Sequence, residues 1–256
     1  MRAVVGALLV AFACVGAASG DPGDACAVAQ HLVHADASLT HVANAITKEK
    51  KLTIAVAGTT SSTLPGVNGQ PLAYPAKLEA VLQKKLPGVT VRVISQAKPR
   101  QTAQEMAQGF PKLLRDEKPS LVVWQTGTAD AMLGVAAEDF QATLEAAVDS
   151  LHAGGADVVF MNMQYSPRTD AVLSTEPYSE ALRWVGLERA VNLFDRQAVM
   201  RQWSELGTFD LLTATKSLDT AAQVHGCIAR LLATLIVEAA TTDPAAPIAP
   251  KEDKKQ

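Results

Sequence analysis

"AVAGTTSSTLPG", Ala55 to Gly66, joins the end of an apolar run, "LTIAVAG" at 52–58, to a turn crowded with hydroxyls from Thr59 to Thr63. A continuous apolar run that stops at a glycine reads as a strand covered on both faces, because a strand with one wet face would alternate. Runs of the same kind follow: "VTVRVIS" at 89–95, "SLVVWQTG" at 120–127, "ADVVFMNM" at 156–163 and "AVNLF" at 190–194. Between them, "PAKLEAVLQKKL" and "DFQATLEAAVDSLHAGG" place Leu, Val and Ala at helical spacing, and the second ends in glycines that suit a helix cap. Strand and helix alternate, which predicts a three-layer α/β/α sandwich around a five-stranded parallel sheet. Its working site belongs outside the carboxyl ends of the strands, where the hydroxyl-rich turn falls. A helix is expected over residues 36–50 and a long final helix over 218–240.

The chain has 256 residues, 48% of them apolar, enough for one well-buried domain and short for two. A net charge of −3 with scattered basic residues offers no footprint for nucleic acid, and an aromatic content of 5% argues against a stacking platform. "MRAVVGALLVAFACVGAASG", residues 1–20, has one early cation, an apolar run and a small-residue end, the pattern of a secretory signal. Its removal leaves a domain over 21–243 with no integral membrane segment, and a tail over 244–256 whose Pro, Ala and charge lack periodicity and predict disorder. The expected location is periplasmic or secreted. Cys14 leaves with the signal, and the remaining pair, Cys26 and Cys227, reads as a disulfide joining the chain ends, the alternative being two separate buried thiols.

"GTTSST" after the first strand, "VISQAKP" after the second and "VVWQTGTAD" after the third fall in order, followed by "FMNMQYSPR" and "NLFDRQAVMRQW". With these blocks the chain, from about Lys51 to the last helix, resembles the SGNH or GDSL-type hydrolases, and within them a group of exported bacterial proteins. The resemblance implies an esterase fold with a serine nucleophile two residues past the turn glycine, a position held here by Thr60. Ser61 serves instead if the turn shifts by one residue, and a third reading has these hydroxyls only capping the next segment and satisfying turn amides. The family's oxyanion glycine and asparagine correspond to Ala97, which keeps its backbone N–H, and Ala129, which has no side-chain donor.

The family's Asp-x-x-His block falls on Lys216 and Asp219, or, starting from Asp219, on Ala222, so neither registration supplies a histidine. His225, further into the last helix, is a substitute base or an ordinary helix histidine. Asp130 survives from the third block, to fix the loop or to bind a polar group of a ligand. His31, His34, Asp36 and His41 have spacing open to a metal but read better as a solvated helix face, so no metal or cofactor is expected.

Altered together, these positions make the expected function a non-catalytic binding or accessory protein with an acylated or carbohydrate small ligand. The rivals are a residual esterase using Thr60 or Ser61 with His225, and a structural scaffold that binds a protein partner.

Overall fold

The computed structural model describes residues 24–213 and 217–242. The signal segment, the tail and the Lys216 registration lie outside them. Five parallel strands, β1 (Lys51–Ala57), β2 (Thr90–Ser95), β3 (Leu121–Gln125), β4 (Asp157–Met161) and β5 (Asn192–Phe194), form one sheet in the order β2-β1-β3-β4-β5. The order reverses at β1, so the turn after it opens at a topological switch point.

In β1, β3 and β4 both faces are apolar because both are covered, whereas the edge strand β2 exposes Thr90, Arg92 and Ser95. Leu52, Ile54 and Val56 of β1 belong to one core, with Val123 and Met161. Ala55 and Ala57 face the other, with Trp124 and Phe160. The first core is roofed by a short helix α1 (Thr40–Asn44), α2 (Tyr74–Lys85) and the C-terminal helices named below, and the second by α3 (Ala103–Glu117), a short α4 (Thr128–Leu133) and α5 (Ala137–Ala153). A single turn, α6 (Pro167–Asp170), precedes α7 (Glu176–Glu188), which completes the second layer, while α8 (Arg196–Glu205) and α9 (Asp219–Thr241) complete the first.

Alpha-helix α9 has the length and apolarity of a membrane span. Its Ile228, Leu232, Leu235 and Ile236 are nonetheless buried in the first core, which accounts for that apolarity.

The helix expected over 36–50 is corrected. It begins at Thr40, and residues 45–49 continue as a π-turn. The backbone N–H groups of Asp36 and Ala37 are instead taken by Asn192 Oδ1 on β5, at 2.8 and 2.9 Å, which ties that stretch to the sheet edge outside any helix. Cys26 and Cys227 form a disulfide, their Cα atoms 5.0 Å apart, tying the start of the described chain to α9. His34 pairs with Glu238 of the same helix at 2.6 Å.

Candidate functional site

The turn after β1 is built around one amide oxygen. Gln125, the last residue of β3, is fully buried, and its Oε1 accepts the Thr59 N–H at 2.9 Å. The hydroxyls of Thr59, Ser61 and Ser62 approach the same atom at 3.0, 3.2 and 3.1 Å. An amide oxygen has two lone pairs, so these hydroxyls share it. Gly58 is required here by close approach: a Cβ would lie 2.5 Å from Ser62 Oγ and 3.1 Å from Gln125 Oε1. Ser62, with its proton turned to Gln125, accepts from the buried Tyr74 hydroxyl at 2.9 Å.

Ser61 is gripped from the other side. Arg196, the first residue of α8 and fully buried, donates from Nη1 to the Ser61 carbonyl at 3.1 Å and from Nη2 to Ser61 Oγ at 3.0 Å. Burial pulls its pKa down to about 10, so the guanidinium stays charged at neutral pH. Thr60 is exposed, and its hydroxyl has no protein partner among the described residues.

Thr60, Ser61 and His225 line one cavity of about 480 Å³, with Leu64, Met200, Leu211, Val224 and Ile228 among the other walls. His225 is turned away from the role of a base. Its Nδ1 accepts the Tyr74 backbone N–H at 2.9 Å, which puts the proton of the neutral ring on Nε2. Burial first, then the charges of Arg196 and Lys77, lower its pKa to about 4.

The remaining sequence-derived positions lie elsewhere. Ala97 is half-buried beyond β2, between the Gln96 N–H held by Val56 and the Lys98 N–H held by Gly58, and is not among the residues lining this cavity. Ala129 is buried in the first turn of α4. Asp219 is exposed at the start of α9, where it accepts the Ser217 hydroxyl at 2.6 Å. Asp130 is buried and accepts the Ala103 N–H at 3.0 and 3.3 Å, so it joins α4 to the first turn of α3. Burial raises the pKa of its carboxyl above the ordinary value.

Three residues of this site are absent from the sequence-derived set: Gln125, Tyr74 and Arg196. The first ends a strand block and Arg196 lies inside "NLFDRQAVMRQW", so position was available as a signal, but not the partners.

A parallel sandwich with its cavity at the strand ends, built on a hydroxyl turn, defines an SGNH-type hydrolase scaffold. Residues 25–242 match the non-GDSL lipase-like family, and the chain belongs to it, within the SGNH/GDSL-type hydrolases. The esterase TesA of Pseudomonas aeruginosa is 33% identical over 90 residues, 34% of this chain and 45% of TesA, so the match spans less than half of that relative. An acetyl-xylooligosaccharide esterase from Geobacillus stearmophilus superposes with a TM-score of 0.58 at 17% identity, over 72% of this chain and 94% of its own. A two-domain esterase active on acetylated mannans gives 0.65 at 14%, over 85% of this chain and 57% of its own. At these identities the two structures speak for the fold.

Proposed function

We propose that this chain is an exported member of its family that has kept the pocket and lost the chemistry, a non-catalytic protein that binds an acylated or carbohydrate small ligand at the strand ends. The observation that carries the reading is the hydrogen bond from the Tyr74 N–H to His225 Nδ1. A general base needs a nitrogen lone pair facing the hydroxyl it activates. Here the one free lone pair is spent on a backbone amide, Nε2 carries the proton, and a ring with a pKa near 4 is a weak base at neutral pH.

Ser61 is bound between Gln125 and Arg196, and Ala129 offers no side-chain donor at the family's oxyanion position. Removing one such donor costs roughly a hundred- to a thousandfold in rate. Export is supported by the bridge of Cys26 and Cys227, a bond that persists in oxidising compartments. The ligand class is supported by the apolar cavity walls and by similar structures that act on acetylated sugars.

The test is hydrolysis of short-chain acyl nitrophenyl esters by the purified protein beside Thr60→Ala, Ser61→Ala and His225→Ala. All four are expected at the buffer rate, with saturable thermal stabilisation of the wild type by an acyl ligand. Turnover that disappears in a hydroxyl variant and in the histidine variant means that an esterase remains.

A further inference from the structure

The cavity sits against a charge that the protein does not neutralise. Arg196 is fully buried, both terminal nitrogens are bonded to Ser61, and its Nε has no partner. Among the described residues no carboxylate pairs with it. Its neighbour Asp195 is engaged elsewhere, accepting the Ala198 N–H at 2.9 Å and pairing with Arg183 at 3.3 Å. A buried cation without a counter-charge is expensive, and an anion brought close in low dielectric offsets that cost.

Two donors on the cavity wall are left open. Ser61 lines the cavity and receives the guanidinium directly, the Thr60 hydroxyl has no protein partner among the described residues, and His225 presents Nε2–H, which is likewise unbonded. The apolar part of the wall comes from Leu64, Leu211, Val224 and Ile228, beside the polar Thr63, Gln164, Thr213 and Thr220. The cavity's carboxylate, Asp210, is exposed, and its Oδ1 accepts the Leu212 and Thr213 N–H groups at 3.0 Å each. Water screens a rim charge far more than a buried one.

We infer that this cavity is a carboxylate site, which takes the free acid of an aliphatic chain in preference to its neutral derivatives. The headgroup meets the Thr60 hydroxyl and the His225 Nε2–H, with the Arg196 charge held behind Ser61 rather than lining the cavity, and the chain runs along the aliphatic part of the wall. The inference rests on the non-catalytic reading above and names its ligand class: the product of acyl-ester hydrolysis rather than the ester.

The experiment is calorimetric titration of the full chain with octanoate and with octanamide, alongside a turnover assay with nitrophenyl octanoate. The acid is expected to bind at least about tenfold tighter than the amide, the scale of one hydrogen bond to a charged group. Arg196→Met should bring the two affinities together. Thr60→Val, an exposed change that leaves the core untouched, should weaken octanoate more than octanamide, and it decides the matter if Arg196→Met does not fold: an equal change for both ligands overturns the carboxylate site. Equal binding of acid and amide by the wild type overturns the carboxylate site while leaving a binding pocket. Binding of neither overturns it as well, and ester turnover overturns the non-catalytic reading instead.

Discussion

Lowering the pH should weaken this fold through His225 in particular. The ring is buried, its Nδ1 holds the Tyr74 N–H, and its pKa is lowered to about 4 from an ordinary 6.5. Between those values the unfolded chain binds a proton that the folded chain refuses, so stability is fully present above pH 6.5 and is lost as pH falls toward 4. At pH 4.5 the loss from this one group is about 2.5 kcal/mol, and it approaches about 3 kcal/mol below pH 4.

Buried Asp130 and Asp157, whose pKa values burial raises, act in the opposite sense, so the histidine must be isolated by difference. His225→Asn places an amide oxygen where Nδ1 accepts and removes the titration. Urea unfolding of both proteins at pH 7.5 and 4.5 then reads the term: the wild type should lose about 1 M more in midpoint than the variant. Parallel losses in the two proteins refute the claim that His225 is held neutral, and with it the assignment of its proton to Nε2.

Gly58→Ala should destabilise by about 1–3 kcal/mol, because its Cβ meets Ser62 Oγ and Gln125 Oε1 in a packed turn; chemical denaturation checks it. Reducing the Cys26–Cys227 bridge frees a loop spanning 201 positions, and the chain-entropy model puts the loss at roughly 5 kcal/mol, visible as a lowered Tm in the presence of a reductant. Asp130→Ala leaves the Ala103 N–H without its acceptor, at about 1–3 kcal/mol in the same unfolding assay.

The sheet was legible because β1, β3 and β4 are buried on both faces and read as apolar runs, while the edge strand β2 keeps Val91 inward between exposed Thr90 and Arg92 and β5 is the three-residue "NLF" inside "AVNLF". The stretch 36–39 was not, since its partner, Asn192, lies on a strand more than 150 residues away. In the site, spacing from the turn glycine picked out Thr60 and Ser61, and His225 was the nearest histidine to the family's last block. These three do share a cavity, whereas Ala97, Ala129, Asp130 and Asp219 do not line it. What sequence could not carry is the direction of the bonds. Arg196 sits among Asp, Gln and Arg in "DRQAVMRQW", where a charge reads as solvated, and only packing of α8 against the β1 turn buries it. The acceptor role of His225 depends on a backbone amide 151 residues away.

The bridge between Cys26 and Cys227 also sets an order of events during synthesis. Cys26 is among the first described residues to be made, and its partner follows 201 positions later, two residues beyond His225 in α9. At about 5–20 residues per second, Cys26 waits some tens of seconds before Cys227 exists to meet it. During that interval the five strands are made, β5 last, and the cavity wall from α9 is still to come. Closure of the pocket and closure of the covalent ring therefore both wait for α9, and Cys26 must stay unpaired until then.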